Sequence, residues 1–258
     1  MRAGNRRFRN ERFDVTMSKA AQVLVAERFD RAAQFYDEAA SVQAEVAKHL
    51  LELTKQHVAR PPRTILDIGS GTGMAAALAQ HIWPAAKITA MDGAPGMLQQ
   101  ARGKLKHLQV VAGDIAGELP QQSFDLVLSS MALHWLADPA AVLRRWQQLL
   151  NPGGTLFAAL LTQGSFAEWR ALCARANLED GLWNMPHADF ADGFAAATEK
   201  QILTVTYPSA HAFLQRLKAT GATMPRTGHK PFSAAVMRRL LANAPRPFPV
   251  TYEVLYIA

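Results

Sequence analysis

The most regular pattern in the sequence is an alternation of short apolar runs with helical segments between residues 64 and 177. The predicted strands lie at 64–68, 87–91, 108–112, 125–129 and 155–161. The predicted helices lie at 74–81, 95–104, 139–150 and 165–177. Nearly all-apolar strands that alternate with helices are typical of a parallel sheet covered on both faces. The pattern therefore predicts a doubly wound α/β fold.

The segments on either side complete the predicted sheet. Between residues 23 and 57, apolar residues at helical spacing predict two amphipathic helices. Pro61-Pro62 ends the second of them. Further strands are predicted at 201–207 and 250–257, with helices at 210–220 and 233–242 between them. The sequence Asn-Pro-Gly-Gly at 151–154 predicts a turn. We expect a Rossmann-like, seven-stranded, mostly parallel sheet with a helical insertion before its last strand.

The same pattern divides the chain into three parts. Residues 1–17 are rich in Arg and Asn and have no apolar core, so we expect a disordered N-terminal arm. Residues 18–60 form the N-terminal helical segment. Residues 61–258 form the main domain.

Composition and charge narrow the classes of function. The chain of 258 residues has a single cysteine, Cys173, which excludes an internal disulfide or a cysteine-cluster metal site and fits a reducing cytoplasm. No apolar run approaches the roughly 20 residues that span a bilayer. The net charge of +7 favours a polyanionic partner, although the sequence has no zinc finger or other nucleic-acid signature. We expect a cytoplasmic protein that binds no metal, membrane or nucleic acid.

A glycine-rich turn follows the first predicted strand. Gly69, Gly71 and Gly73 let a ligand approach the backbone beside the N–H groups of the next helix. A dinucleotide fingerprint would place its third glycine one residue later, where Met74 stands. Asp67, at the end of the strand, would repel a pyrophosphate but suits a cationic ligand. The turn therefore favours S-adenosylmethionine (SAM), which carries an ammonium and a sulfonium.

Two more carboxylates follow the next two strands. Asp92 lies about 20 residues past the turn, where a carboxylate can bind both ribose hydroxyls of a nucleoside. Asp114 is placed to bind the adenine amino group beside Ile115, and Met97 is placed to cover the other adenine face. An aspartate often only caps a loop, but the recurrence after successive strands favours a nucleoside site.

The whole arrangement resembles the class I SAM-dependent methyltransferases. The shared features are the acid-x-Gly-x-Gly-x-Gly turn at 67–73, the acid after the second strand, Gly-Asp at 113–114 and Phe-Asp-Leu-Val at 124–127. The resemblance implies SAM as the cofactor. The carboxyl end of the fourth strand lies beside the cofactor in this geometry. The residues expected to border the sulfonium are Ser130, Leu133, His134 and Trp135.

Five further stretches resemble the malonyl-[acyl-carrier protein] O-methyltransferase family of biotin synthesis. They lie at 29–37, 133–135, 162–166, 217–222 and 249–253. Leu-Lys-x-x-Gly-Ala at 217–222 and Pro-x-Thr-Tyr at 249–252 are the most specific, because other SAM methyltransferases vary there. The resemblance implies methylation of the free carboxylate of a malonyl thioester, which primes pimeloyl formation.

The resemblance also implies where the two ligands bind. It makes residues 18–60 a lid over the cofactor and places segments 162–200 and 209–245 on the substrate side. The expected cofactor-binding residues are Tyr36, Gln43, Asp67, Gly69, Ser70, Gly71, Gly73, Asp92, Gly93, Met97, Asp114, Ile115, Ser130 and Leu133. The expected substrate-binding residues are His134, Trp135, Lys218 and Arg226.

Tyr36, His134 and Ser130 are the candidate catalytic residues. A carboxylate is already ionised at neutral pH and needs no strong general base, so neutral hydrogen-bonding groups suffice to orient it. His134 serves either as a base or as a hydrogen-bonding wall of the pocket, and the second interpretation is favoured. Tyr36 belongs either to the site or to the buried stripe of its helix.

The basic charge has a candidate cause in the expected partner. Acyl carrier proteins are strongly acidic, so a basic surface would steer one toward the site. Malonyl-CoA is the alternative substrate. We expect the protein to be a monomer. Three alternatives stay open: a SAM methyltransferase for another small acid, hydroxyl or amine, a non-catalytic partner subunit, and an RNA methyltransferase.

Overall fold

The structure is a computed structural model that describes residues 19–258, except residues 106, 194 and 227. The arm expected at residues 1–17 lies outside the described residues. The strands are β1 (Thr64–Ile68), β2 (Lys87–Asp92), β3 (Gln109–Ala112), β4 (Phe124–Ser130), β5 (Leu150–Leu161), β6 (Thr198–Tyr207) and β7 (Phe248–Ile257). The helices are α1 (Lys19–Ala32), α2 (Tyr36–Ala39), α3 (Ser41–His57), α4 (Met74–Ile82), α5 (Pro95–Lys104), α6 (Pro139–Gln147), α7 (Ala167–Arg175), α8 (Ala210–Ala219) and α9 (Ala234–Ala242).

The strands form one seven-stranded sheet in the order β3-β2-β1-β4-β5-β7-β6. The first five strands pair in parallel, whereas β7 pairs antiparallel with both β5 and β6. The chain reverses its direction across the sheet between β1 and β4. In open α/β sheets, ligands bind outside the carboxyl ends of the strands at such a switch point. The predicted fold class is confirmed, and it directs the search for a site to the ends of β1 and β4.

Apolar side chains cover both faces of the sheet. Ile65 and Leu66, which are neighbours in β1, point to opposite faces and belong to different core clusters. One cluster packs Ile65 against α3 and α4, where Leu50 is fully buried. The other packs Leu66 against α6, where Trp146 is fully buried. Burial on both faces explains why the parallel strands are almost entirely apolar.

Local signals in the sequence fix the start of several helices. Asp138 accepts a hydrogen bond from the backbone of Ala141 (2.8 Å) and begins α6, with proline in its first turn. Ser209 and Ser233 cap α8 and α9 in the same way. These caps explain why the helical boundaries predicted for the insertion agree closely with those observed.

Several predicted boundaries differ from the structure. The helix predicted at 139–150 ends at Gln147, and β5 begins at Leu150, which pairs with Phe124. The turn predicted at 151–154 is instead the irregular first part of β5: the register shifts there, and Gly153 has a φ of +78°. Near the N-terminus, a short 3₁₀ segment at Ala33–Phe35 and the brief helix α2 separate the two long helices that were predicted.

Candidate cofactor and substrate site

The three glycines of the turn after β1 all have positive φ, but they serve two different purposes. A Cβ atom on Gly69 would lie 2.3 Å from the Cβ of Ala132, and one on Gly73 would lie 2.9 Å from the Cβ of Ala101. These two glycines therefore allow close packing within the protein. Gly71, with a φ of +54°, has no atom within 4 Å of the position of a Cβ. Its backbone faces open space and can be approached by a ligand.

Asp67 is the second-last residue of β1, next to this turn, and is completely buried. Its Oδ2 accepts a hydrogen bond from the backbone of Ala76 (3.1 Å), but its Oδ1 has no partner among the described residues. Burial raises the pKa of Asp67 to about 7, with a further contribution from the charge of Asp92. A buried oxygen without a partner is costly, so Oδ1 suits a cationic donor supplied by a ligand.

Asp92, at the end of β2, is bound on both oxygens to the protein backbone. Oδ2 accepts from the N–H of Gly71 (2.8 Å) and Oδ1 from the N–H of Ala94 (2.8 Å). Burial raises the pKa of Asp92, although these backbone hydrogen bonds oppose the shift. Each carboxylate oxygen has a second lone pair, so Asp92 can still accept hydrogen bonds from a pair of hydroxyls.

A cavity of about 400 Å³, here called the large cavity, joins these groups. α1 and the ends of β1, β2 and β4 contribute to its wall. The predicted cofactor residues that line it are Tyr36, Gln43, Asp67, Gly69, Ser70, Gly71, Asp92, Gly93, Met97, Asp114, Ile115 and Ser130. Besides Asp67, the buried hydroxyl of Ser70 has no partner among the described residues. These free acceptor and donor groups fit the ammonium and polar atoms of SAM.

One end of the large cavity suits an adenine ring. Asp114 is exposed, and its Oδ1 accepts from the backbone of Ala116 (2.9 Å), which orients the carboxylate. Ile115 and the buried side chain of Met97 supply apolar surface. A flat, mostly apolar base with one amino group matches this combination.

Two predicted cofactor residues do not line the large cavity. Gly73 packs against α5, as described above. Leu133 is fully buried in the core cluster that contains Leu66 and Trp146. Met131, two residues before Leu133, has a φ of +58°. That backbone conformation lies between β4 and Leu133 and is not apparent in the sequence. Met131 and Ala132 line the cavity instead.

A second, narrow cavity of about 50 Å³ adjoins the large one. Five residues line both: Phe29, Tyr36, Gln43, Met131 and Trp135. The rings of Phe29 and Trp135 meet edge to face at 5.7 Å. A group that moves from a ligand in the large cavity to one in the narrow cavity would pass this boundary.

His134 lines the narrow cavity and is held as a neutral ring. It is almost completely buried, and burial lowers its pKa to about 3. The backbone N–H of Leu161 donates to Nδ1 (3.4 Å), so the proton is assigned to Nε2. The indole of Trp183 donates to the carbonyl of His134 (3.1 Å). A strongly depressed pKa makes His134 a poor base, which supports its interpretation as a hydrogen-bonding wall.

Tyr36 stands at the boundary between the cavities, at the start of α2. Burial raises its pKa, and the charges of Asp92 and Asp37 raise it further. The phenol therefore remains protonated at neutral pH and acts as a donor. The segment that carries Tyr36 is fixed by Asp37, which accepts from the hydroxyl of Thr72 (2.6 Å) and pairs with Lys104 (2.5 Å).

The two cations predicted to bind substrate line neither cavity. Lys218 is exposed, and Arg226 pairs with Glu179 (2.7 Å). Among the described residues, the cation that lines the narrow cavity is Arg216, which is not one of the residues predicted to bind substrate. The sequence does contain a signal for Arg216. It lies three residues after the buried, apolar Phe213, so both residues lie on the same face of α8.

Two further findings concern metal ions and membranes. Within residues 19–258, apart from the three positions left out, no group of His, Cys, Asp and Glu is arranged to hold a metal ion. Over the same residues, the helices lack the combination of length and apolarity needed to cross a membrane.

Comparison with known proteins identifies the class. The family model described as a methyltransferase domain matches residues 66–158. The fold is similar to that of the BH2331 protein of Bacillus halodurans (TM-score 0.57, 14% identity, covering 81% of this chain and 97% of that one). It is also similar to that of the plantazolicin methyltransferase BpumL (TM-score 0.52, 14% identity, 93% and 97%). The fold, the site and the domain match define a SAM-dependent methyltransferase.

Curated relatives narrow this class to one family. The malonyl-[acyl-carrier protein] O-methyltransferase of Xylella fastidiosa (strain M23) is 34% identical, covering 88% of this chain and 84% of the relative. That of Magnetococcus marinus is 33% identical, covering 90% of each. The biotin biosynthesis bifunctional protein BioCD of Bordetella avium is 37% identical over 90% of this chain and 51% of its own length. The chain belongs to the malonyl-[acyl-carrier protein] O-methyltransferase family.

Proposed function

We propose that the protein transfers the methyl group of SAM to the free carboxylate of a malonyl thioester carried by an acyl carrier protein. The product is the malonyl methyl ester that primes pimeloyl formation in biotin biosynthesis. The names of the curated relatives support this substrate. The observation that carries the proposal is the pair of adjoining cavities, one lined by acids and one lined by neutral and apolar groups with a single arginine.

The chemistry of this transfer matches the narrow cavity. SAM supplies an electrophilic methyl group. A carboxylate oxygen attacks the methyl carbon, the S–CH₃ bond breaks, and its electron pair stays on sulfur, which loses its positive charge. No proton moves, so the low pKa of His134 is no obstacle. The protein has to hold the oxygen in line with the breaking bond and exclude water.

Residues at the boundary are suited to that task. Tyr36 presents a protonated phenol, and Trp135 and Phe29 close the wall around it. We assign Tyr36 and His134 the role of orienting the substrate by hydrogen bonds. Ser130 lines the large cavity at the end of β4, and we assign it to the cofactor side of the site.

Exposed basic residues on α8, which lines the narrow cavity, and on the segment that follows α8 support an acidic carrier as the partner. Lys218, on α8, and Lys230, on the loop before α9, are exposed, as are Arg238 and Arg239 on α9 itself. Such a surface speeds association with an acidic protein and makes it sensitive to salt. Malonyl-CoA has the same thioester but lacks the acidic protein.

Turnover with three kinds of substrate tests the proposal. The protein and SAM are incubated with malonyl-carrier protein, with malonyl-CoA, and with free malonate or aconitate. We expect the highest kcat/KM for malonyl-carrier protein and a decline in that value with added salt. Activity confined to the free acids contradicts the proposed substrate. Complementation of a strain that cannot make the pimeloyl precursor of biotin tests the place in metabolism.

A further inference from the structure

Arg216 occupies a distinctive position. Across residues 19–258, apart from the three positions that are not described, it is the one lysine or arginine that lines either cavity. It is half-buried, and a nitrogen of its guanidinium donates to the backbone carbonyl of Glu38 in α2 (2.8 Å). That hydrogen bond fixes the side chain beside the boundary segment that carries Tyr36.

The surroundings of Arg216 leave its charge available. No carboxylate of the described part of the chain forms an ion pair with it. The wall around it consists mainly of apolar and aromatic side chains, including Leu217, Met224 and Tyr252. Burial raises the pKa of Tyr252 and the charge of Arg216 opposes that shift, which places the guanidinium close to this part of the cavity.

A substrate carboxylate in such a cavity needs a partner. Transfer of an ionised carboxylate into apolar surroundings is strongly unfavourable unless it is paired and hydrogen-bonded. A guanidinium offers five N–H donors in a planar fork, of which the hydrogen bond to Glu38 uses one. Among the described residues that line the narrow cavity, Arg216 is the one side chain of the Lys, Arg, Asp and Glu types.

We propose that Arg216 is the specificity residue that binds the carboxylate of the substrate in the narrow cavity. This inference rests on the proposed carboxyl methylation. A donor on one carboxylate oxygen leaves the other oxygen to attack the methyl group. Methylation removes the negative charge, so the product loses its partner in Arg216 while the substrate keeps it. The cavity thereby selects an acid over its ester.

The test compares Arg216→Gln and Arg216→Lys with Lys87→Gln, which also removes one positive charge, as the control. Lys87 is exposed at the start of β2, away from the carboxyl ends of the strands, and lines neither cavity. For each variant, KM and kcat are measured with malonyl-carrier protein. Affinities are measured by calorimetry for SAM and for the methyl-ester form of the carrier. The ester form retains the carrier protein and its prosthetic arm and lacks only the charge.

Arg216→Gln should raise KM for the malonyl substrate by roughly 10- to 100-fold, the range expected for a lost charged hydrogen bond. Affinities for SAM and for the methyl ester should stay within about twofold, Arg216→Lys should recover part of the loss, and Lys87→Gln should match the wild type in KM at moderate salt. Equal losses for acid and ester would assign Arg216 to the carrier or its arm and overturn the proposal. A joint loss of SAM affinity would assign it to the support of α2. An active wild type with an unchanged variant refutes the Arg216 inference alone, whereas an inactive wild type refutes the proposed function as well.

Discussion

The ionisation of Asp67 should make SAM binding depend on pH. Burial raises the pKa of this carboxyl to about 7, and no described residue donates a hydrogen bond to its Oδ1. The charged form is the one that binds the ammonium of SAM, so binding below this pKa must first release a proton. The dissociation constant should therefore rise by about tenfold for each pH unit below 7.

The same shift affects the stability of the ligand-free protein. Because the folded pKa of Asp67 lies above its usual value of 3.8, the folded state binds the proton more tightly than the unfolded state does. Stability from this group is fully present below pH 3.8 and is lost as the pH rises through 7. A difference of about 3 pKa units corresponds to about 4 kcal/mol. SAM should offset this loss at high pH.

The variant Asp67→Asn isolates this charge. Asparagine can still accept the hydrogen bond from Ala76 through its amide oxygen, so the turn keeps its support. At roughly pH 8, the variant should bind SAM about 10- to 100-fold more weakly than the wild type, as expected for a lost charged hydrogen bond. At low pH the two affinities should converge. The variant should also be more stable than the wild type without ligand at high pH.

Calorimetric titration with SAM between about pH 5.5 and 8 measures these differences. Asp114→Asn is the matched control, because Asp114 lines the same cavity but is exposed. That variant should retain the pH dependence of the wild type. Any slope that remains in Asp67→Asn belongs to Asp92, whose pKa burial also raises. A wild-type affinity that is constant over this range would refute the assigned role of Asp67.

Two further predictions concern the turn and the narrow cavity. Gly69→Ala should lower the free energy of unfolding by roughly 2–5 kcal/mol in chemical denaturation, because its Cβ would collide with Ala132 at a positive φ. Gly71→Ala should lose less stability but more SAM affinity, since its Cβ would enter open cavity space; the reverse order would contradict the two uses assigned to these glycines. His134 should contribute no inflection to the rate of methyl transfer between about pH 5 and 8, since its pKa is about 3. An inflection that disappears in His134→Asn would show that it titrates.

Local sequence was sufficient to predict most of the fold. Buried parallel strands are apolar on both faces, and caps such as Ser209 and Asp138 mark helix starts, so neither signal needs knowledge of distant contacts. Many residues that line the large cavity could be predicted for the same reason. Asp67 and Asp92 lie at the ends of strands whose topology brings them together. Their recurrence in the chain reflects a repeated β-α unit.

The substrate side was predicted less well, since it depends on how separate segments pack. Arg216 and Lys218 are two positions apart on α8 and so point to different sides of it. Only the packing of α8 against β7 and α2 decides which one faces the cavity. Leu133 was misplaced for a similar reason, because the positive φ of Met131 precedes it at the end of β4. The oligomeric state expected for the protein, a monomer, stays a prediction.

The most direct test of the central claim is the mass of the malonyl group after reaction. Malonyl-carrier protein is incubated with SAM and the wild-type protein. The prosthetic arm is then analysed by tandem mass spectrometry, and a separate sample is hydrolysed with base to detect released methanol. We predict a gain of one CH₂ on the malonyl fragment and release of methanol by base, as expected for a methyl ester. Unmodified malonyl groups, or a base-stable methyl group elsewhere on the carrier, would contradict carboxyl methylation.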